Sequence, residues 1–183
     1  MGERLLFVSS NAGKVREVEA ILGEPVEQLD LDLPEIQSLD VEAVAREKAL
    51  TAFERAGRPV VVEDTGLYID ALQGLPGALV RWFLVTIGPA GICDLIPHGA
   101  ERGARARSAV AFCDGETVEI FTGETIGSIA PHPVGSDGFG WDPIFQPVGA
   151  AGTFAQMDQV EKTMYSMRRQ ALNRLRDRLR ETR

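Results

Sequence analysis

The stretch Leu5-Leu6-Phe7-Val8-Ser9-Ser10-Asn11-Ala12-Gly13-Lys14 contains the transition that decides the fold. Its first half is a short apolar run, typical of a buried strand, and the run stops at a cluster of small polar residues. From residue 14 to residue 22 the apolar side chains recur with a helical period. The order strand, loop, helix is typical of α/β proteins, in which helices pack on the faces of a sheet.

The rest of the chain continues this alternation. We predict two more strands, at residues 26–31 and 59–63. We predict helices at residues 40–56, with Asp40 as the N-cap, at 79–87 and at 163–182. Residues 104–113 and 117–129 are expected to form a hairpin with its turn at Asp114-Gly115. A hairpin among strand–helix units predicts one α/β domain, residues 1–183, with a central mixed twisted sheet flanked by helices.

Composition limits the classes of function. The 183 residues suffice for one domain with a proper core, and 19 basic against 27 acidic side chains give a net charge of −8. This balance disfavours binding to nucleic acid or to an anionic membrane over most of the surface. No apolar stretch approaches the roughly 18 residues of a membrane helix, so a cytoplasmic location is expected. A polyanionic substrate would then need a local cationic pocket.

Cations lie on the apolar faces of three predicted helices. Lys48 projects from the apolar stripe of the helix at 40–56, Arg168 lies at the centre of the stripe of the last helix, and Lys14 shares a face with Val18 and Ile21. Each could carry its charge to water by snorkelling. Because an unpaired buried cation is costly, three of them in an acidic chain favour a shared polyanionic ligand.

The segment Phe139-Gly140-Trp141-Asp142-Pro143, called the aromatic loop below, follows a run of Pro and Gly and is a candidate binding loop. Phe139 and Trp141 can each offer a flat face to a planar ligand, and Asp142 can accept hydrogen bonds from ring N–H groups. The alternative is a buried aromatic turn without a ligand.

Two carboxylates, Glu63 and Asp64, are expected to close the Val-rich strand at residues 59–63. Adjacent strand residues point to opposite faces, so both cannot enter one site by the same route. A turn or a helix cap is the alternative reading of this pair. Near Lys14, valines at positions 8 and 15 exclude a Walker loop, but the loop amides, the helix N-terminus and Lys14 suit a phosphate.

Taken together, five motifs in this order closely resemble the inosine triphosphate pyrophosphatase family, over residues 5 to about 175. The motifs are residues 8–14, residues 62–67, residues 74–77 with Arg81-Trp82-Phe83, the aromatic loop, and Glu161-Lys162 with Ser166 and Arg168. The resemblance implies a two-lobed fold with an active-site cleft between the lobes, and a homodimer. It also implies magnesium-dependent hydrolysis, with manganese as a substitute, of ITP, dITP or XTP to the monophosphate and pyrophosphate.

The same resemblance implies roles for individual residues. Asp64 is placed to activate the attacking water, although the choice between Glu63 and Asp64 stays open, and Glu35, Glu63 and Asp64 are associated with magnesium. Lys14, Lys48 and Lys162 are expected to screen charge on the phosphates. The substrate-binding residues implied are Ser9, Asn11, Lys14, Lys48, Arg81, Phe139, Gly140, Trp141, Asp142, Lys162, Ser166 and Arg168.

Selectivity for the base is expected to rest on Arg168. Its guanidinium can donate to the 6-oxo group of hypoxanthine or xanthine but cannot accept from the 6-amino group of adenine. The chain departs from the family pattern at Met167, where a histidine is usual. We therefore keep a pyrophosphatase with relaxed base selectivity as an alternative, and a nucleotide sensor without turnover as a lesser one, because the carboxylates are retained.

Overall fold

The strand–loop–helix opening predicted from the sequence is present. In the computed structural model, which describes residues 4–181, β1 (Leu6–Val8) leads through a short loop into α1 (Ala12–Leu22). Asn11 caps this helix, and its side-chain oxygen accepts hydrogen bonds from the N–H groups of Gly13 and Lys14. The helix therefore begins before Lys14.

A mixed seven-stranded sheet forms the centre of the molecule. Besides β1, its strands are β2 (Glu27–Leu29), β3 (Val60–Ile69), β4 (Pro76–Gly77), β5 (Gly103–Cys113), β6 (Val118–Ile129) and β7 (Phe145–Pro147). Their order is β2-β1-β3-β5-β6-β7, with β4 paired to β3. β1 is parallel to β2 and β3, and the remaining pairs are antiparallel. The single α/β domain with a mixed sheet is thus confirmed.

Five helices follow α1 along the described chain. They are α2 (Val41–Ala56), α3 (Val80–Thr86), α4 (Gly88–Asp94), α5 (Gln159–Tyr165) and α6 (Met167–Glu181).

Alternation along β1 and β3 places helices on both faces of the sheet. Val60 and Val62 belong to one apolar cluster, which includes the buried face of α2, whereas Val61 belongs to the cluster formed with α1 and α6. Because side chains alternate along a strand, Glu63 continues the α1–α6 face and Asp64 the α2 face. The strand therefore fixes which helices each carboxylate can meet.

A third apolar cluster forms a second lobe. It joins Leu67 and Ile69 at the far end of β3 to α3, α4 and the aromatic side chains Trp141, Phe145 and Phe154. The two-lobed arrangement implied by the resemblance is consistent with this separation of the core.

Two predicted element boundaries were wrong. β3 does not end at Glu63 but continues to Ile69, because it pairs with β5 over its whole length, from Val60 opposite Cys113 to Ile69 opposite Ala104. The last helix is divided at Ser166, whose backbone is extended and whose hydroxyl accepts a hydrogen bond from the N–H of Arg169. The end predicted at Thr182 lies outside the described residues. The short elements α4, β4 and β7 were not predicted.

Within residues 4–181, no helix is both long and apolar enough to cross a membrane. Cys93 and Cys113 are free and buried.

Candidate active site

A cavity of about 540 Å³ lies between the two lobes. Every site residue named from the sequence borders it, so the structure brings the whole set together. Those residues are Ser9, Asn11, Lys14, Glu35, Lys48, Glu63, Asp64, Arg81, Phe139, Gly140, Trp141, Asp142, Lys162, Ser166 and Arg168.

The cavity opens where β3 runs past the end of β1. The last paired residues of these two strands are Val8 and Val62, and Glu63 and Asp64 follow directly. Glu63 contacts Lys14 of α1 and Arg168 of α6, whereas Asp64 contacts Lys48 of α2. The predicted divergence of the two carboxylates is confirmed, and both still border one cavity because β1 has ended.

One end of the cavity is built around Lys48, which lies between two carboxylates. Its Nζ is 2.5 Å from Glu35 Oε1 and 3.4 Å from Asp64 Oδ1. Burial alone would lower the pKa of Lys48, but Asp64 and Glu35 together raise it, so the ammonium keeps its charge. Burial raises the pKa of Asp64 and outweighs the attraction of Lys48. Although burial opposes it, the charge of Lys48 holds the pKa of Glu35 below its ordinary value.

Ion pairs of alternating sign, called the charge chain below, run from Lys14 to the aromatic loop. Its members, in order, are Lys14, Glu63, Arg168, Glu17, Lys162 and Asp142. The distances are 3.0 Å for Lys14 Nζ to Glu63 Oε2 and for Arg168 Nε to Glu63 Oε1. Lys162 Nζ lies 2.6 Å from Glu17 Oε1 and 2.8 Å from Asp142 Oδ2. The buried hydroxyl of Ser108 also donates to Glu63 Oε1, at 2.8 Å.

The charge chain changes the interpretation of the inward-facing cations. Lys14, Lys48 and Arg168 do face inward as predicted, but each already has a carboxylate partner within the protein. A polyanionic ligand is therefore not required to neutralise them, because acidic side chains of the same fold do so. Burial lowers the pKa of Arg168 to about 10, which still leaves it cationic at neutral pH.

Glu17 is the main site residue that sequence reasoning missed. It is 7% exposed and binds both Arg168 and Lys162. A signal was available, because Glu17 lies three residues after Lys14 and one turn before Ile21, on the same apolar face of α1. A carboxylate on a buried helical face calls for a cationic partner as strongly as a buried cation calls for an acidic one.

The aromatic loop is both a buried turn and a wall of the cavity. Trp141 is 7% exposed and packs edge-on against Phe145, with the ring centroids 5.5 Å apart. The Phe139 ring lies beneath Lys162 Nζ, 4.8 Å from the ring centroid. Asp142 Oδ2 accepts the Phe139 N–H at 2.7 Å, and burial raises the pKa of this carboxyl.

Lys162 does not lie where the sequence reasoning expected it. It was grouped with Lys14 and Lys48 as a cation for the phosphates, but its ammonium is held at the aromatic loop by Asp142 and by Glu17. Lys162 belongs to α5, a short helix that ends at Ser166 and is separate from α6. Lys162 therefore organises the end of the cavity that carries the flat side chains.

The three carboxylates expected to hold magnesium do not share one point. Glu35 and Asp64 meet at Lys48, whereas Glu63 is held by Lys14, Arg168 and Ser108. In the part of the chain that the structure describes, no group of three or more His, Cys, Asp or Glu side chains is arranged to hold a metal ion.

The sequence and the fold both match known proteins. The Ham1 family profile covers residues 5–178. The chain belongs to the Ham1 family. It is 43% identical over 175 residues to the dITP/XTP pyrophosphatase of Methanopyrus kandleri, covering 93% of each protein. It is 42% identical over 182 residues to the inosine triphosphate pyrophosphatase of Tuber melanosporum, covering 97% of each.

Solved structures agree with this assignment. A HAM1 protein from Coxiella burnetii superposes with a TM-score of 0.81 at 28% sequence identity, covering 97% of this chain and 99% of that one. The dITP/XTP pyrophosphatase of Mycobacterium abscessus is 32% identical with a TM-score of 0.71, covering 94% of this chain and 98% of that one. The resemblance seen in the sequence is thus confirmed.

Replacement of Glu17 tests the charge chain. Glu17→Gln leaves Arg168 and Lys162 buried with one charged partner fewer each, so we expect the free energy of unfolding to fall by about 3–5 kcal/mol. Urea denaturation measures it. The matched control is Glu24→Gln, an exposed glutamate just beyond the same helix, expected to change stability by less than about 0.5 kcal/mol. Equal stability of the two variants would contradict the role of Glu17.

Proposed function

We propose that this protein hydrolyses non-canonical purine nucleoside triphosphates, such as ITP, dITP and XTP, to the monophosphate and pyrophosphate. The proposal is supported by relatives that bear the names dITP/XTP pyrophosphatase and inosine triphosphate pyrophosphatase and match almost the whole chain. A cytoplasmic location is part of the proposal, since two free buried thiols suit a reducing compartment.

One observation carries the proposal. A single cavity has flat aromatic side chains at one end and paired lysines and carboxylates at the other. A purine would lie at the aromatic loop, while Lys14, Lys48 and the exposed Arg81 would receive the phosphates. The amide groups at the start of α1 contribute less than the sequence suggested, because Asn11 already accepts from Gly13 and Lys14.

Asp64 is the residue best suited to activate water. Its carboxylate borders the cavity, lies beside Lys48, and has a pKa raised by burial, which makes it a stronger proton acceptor than an exposed aspartate. Glu63 is less suited because Lys14, Arg168 and Ser108 hold it. Water attack at the α-phosphorus would release pyrophosphate, whose charge Lys14 and Lys48 offset.

Magnesium, or manganese in its place, belongs to the proposal as cofactor. Glu35 and Asp64 offer oxygen donors that converge on one ammonium, and an ion that keeps several waters needs only one or two carboxylates. These two residues would hold the ion between β3 and the loop that precedes α2. Bound there, it would neutralise phosphate charge and acidify a coordinated water.

Base selection would depend on Arg168, whose guanidinium is oriented by its partners in the charge chain. Its Nε and Nη1 are engaged by Glu63 and Glu17, so Nη2 is the group that can donate to a 6-oxo purine. The ion pairs fix the plane of the guanidinium before a base arrives. Adenine, which presents a 6-amino donor, would meet another donor and be rejected.

The reaction is tested by its products and by Asp64→Asn. With ITP we expect inosine monophosphate and pyrophosphate as the first products, and loss of activity when the metal is chelated. Asp64→Asn should lower kcat by about 100-fold or more because the amide cannot accept the proton. The control Asp70→Asn alters an exposed aspartate at the end of the same strand and should keep wild-type kcat. Release of orthophosphate as the first product, or similar rates for both variants, would reject the mechanism.

Relaxed base selectivity is the second candidate, and the place of Met167 favours it. This side chain is 5% exposed, borders the cavity next to Arg168 and packs in the apolar cluster of the second lobe. A thioether is at best a weak acceptor and cannot donate to the edge of a base. Discrimination between hypoxanthine and guanine, which differ at the 2-position, would therefore lack a hydrogen bond at this point.

Met167→His tests that candidate. We expect the ratio of kcat/KM for ITP to that for GTP to rise by roughly 2- to 15-fold, the range of one net hydrogen bond. Met164→His, which places the same side chain at a position that is 65% exposed, is the control and should leave the ratio unchanged. An unchanged ratio in Met167→His would mean that Met167 serves only as packing.

A homodimer completes the proposal, and the exposed apolar side of α3 supports it. Trp82 is 61% exposed and Val85 67%, and Ile87 follows at the end of the helix. A second copy of the chain is the proposed partner for this surface. Val85→Glu should then yield a monomer in sedimentation velocity, whereas Val160→Glu on α5, at a position that is 75% exposed, should leave the dimer intact. A monomeric wild-type protein, or dissociation by Val160→Glu alone, would contradict this interface.

A further inference from the structure

The loop that carries Glu35 is anchored at both ends: Arg55 of α2 donates to the Asp32 carbonyl at 2.6 Å, and Leu39 is held next to the start of α2. Residues 30–40 form no helix or strand, and their last carbonyl before the helix cap, that of Leu39, accepts two hydrogen bonds. The Tyr68 hydroxyl donates to this carbonyl at 2.7 Å and the Ala78 N–H donates to it at 3.2 Å. The same tyrosine oxygen accepts the N–H of Val41, the first residue of α2, at 3.3 Å.

Tyr68 and Asp64 lie on one face of β3, four residues apart, and both face α2. Four strand residues span about 13 Å. On α2, Val41 and Lys48 are seven residues apart, or about 10.5 Å along the helix axis. The helix therefore lies along β3 and is held by two polar contacts. One is the hydrogen bond between Tyr68 and Val41, and the other is the ion pair between Asp64 and Lys48.

Further contacts keep the tyrosine in place. Gly66, between Asp64 and Tyr68, lets strand and helix approach closely: an added Cβ would lie 2.8 Å from Val41 Cγ1 and 2.8 Å from the Tyr68 ring. The Arg107 guanidinium lies over the same ring, 5.8 Å from its centroid, and reaches Glu42 in the first turn of α2 at 3.4 Å. These contacts restrict movement of α2 and of the Tyr68 ring along β3.

We propose that Tyr68 is a positioning residue, whose hydroxyl sets the register of α2 and of the Glu35 loop on β3. Through this register it fixes Lys48 and Glu35 relative to Asp64. The role rests on the proposed function, since these three groups form the phosphate and metal end of the cavity. The base end depends on the charge chain between α1, α5 and α6, which Tyr68 does not touch.

The chain contains two tyrosines, which supplies a matched pair of variants. Tyr68→Phe removes only the hydroxyl and keeps the ring under Arg107. Tyr165→Phe removes the other hydroxyl, which also donates to a backbone carbonyl, that of Gly149 at 3.2 Å. Each variant therefore loses a tyrosine–carbonyl hydrogen bond, but only Tyr68→Phe affects α2.

For Tyr68→Phe we expect the magnesium concentration that gives half-maximal ITP hydrolysis to rise, and kcat to fall, each by about 3- to 10-fold. The ratio of kcat/KM for ITP to that for GTP should stay within about 2-fold of wild type. Tyr165→Phe should match wild type in all three quantities. A general loss of stability would not separate the metal requirement from base selectivity in this way.

Amide hydrogen exchange tests the contact without any assay of activity. In Tyr68→Phe the Val41 amide loses its acceptor and should exchange about 10-fold faster, while amides in the middle of α2 keep wild-type rates. Wild-type magnesium dependence and kcat in Tyr68→Phe, or equal losses in both variants, would overturn the positioning role. Failure of the unaltered protein to hydrolyse any purine triphosphate would instead overturn the proposed function, and the exchange rate of Val41 would still report on the contact.

Discussion

The charge chain is the constraint on which the cleft depends. It joins α1, β3, α5, α6 and the aromatic loop through side chains that are all largely buried. Buried ion pairs add little net stability over apolar packing, but the loss of one partner leaves the other charge unpaired at a high cost. The charge chain therefore selects one packing of these helices and strands more than it adds to the stability of the fold. The packing that brings Glu17 between Arg168 and Lys162 gives each member a partner of opposite charge.

The cavity lined by these charged side chains exists because neighbouring strands of the sheet differ in length. β1 is short and ends at Val8, whereas β3 continues as far as Ile69 because the long hairpin of β5 and β6 supports it. Between Val62, where the pairing with β1 ends, and Leu67, where the pairing with β4 begins, β3 therefore has no strand neighbour on one side. Glu63 and Asp64 occupy the first two positions after Val62, and alternation sends one to α1 and α6 and the other to α2. Because β1 is shorter than β3, the adjacent residues Glu63 and Asp64 lie on the two sides of one site.

Local patterns predicted most elements of this fold, and long-range pairing accounts for the rest. The cap at Asp40, the turn at Asp114 and the helical periods depend on neighbouring residues, so the sequence is sufficient to find them. The end of β3 was misplaced because Thr65-Gly66 is typical of a turn, whereas pairing with β5 keeps these two residues extended. The division at Ser166 was missed because the apolar period continues across it. Every site residue named from the sequence borders the cavity, but Glu17 was missed, because its pairing with Lys162 and Arg168 joins α1 to two helices that are distant in the sequence.

Pairing the cations in advance has an energetic consequence for the substrate. Under the proposed function, a triphosphate would compete with Glu63 for Lys14 and with Glu35 and Asp64 for Lys48, so the attraction it gains would be a difference between two sets of ion pairs. Affinity would be reduced accordingly, but the ammonium groups would need little reorganisation when charge develops on the leaving group. Lysines without carboxylate partners would also bind the triphosphate before the reaction, but they would have to be ordered while the reaction takes place. The internal carboxylates would therefore lower the affinity for the triphosphate, but they would hold the lysines in position for the step in which the bond to pyrophosphate breaks.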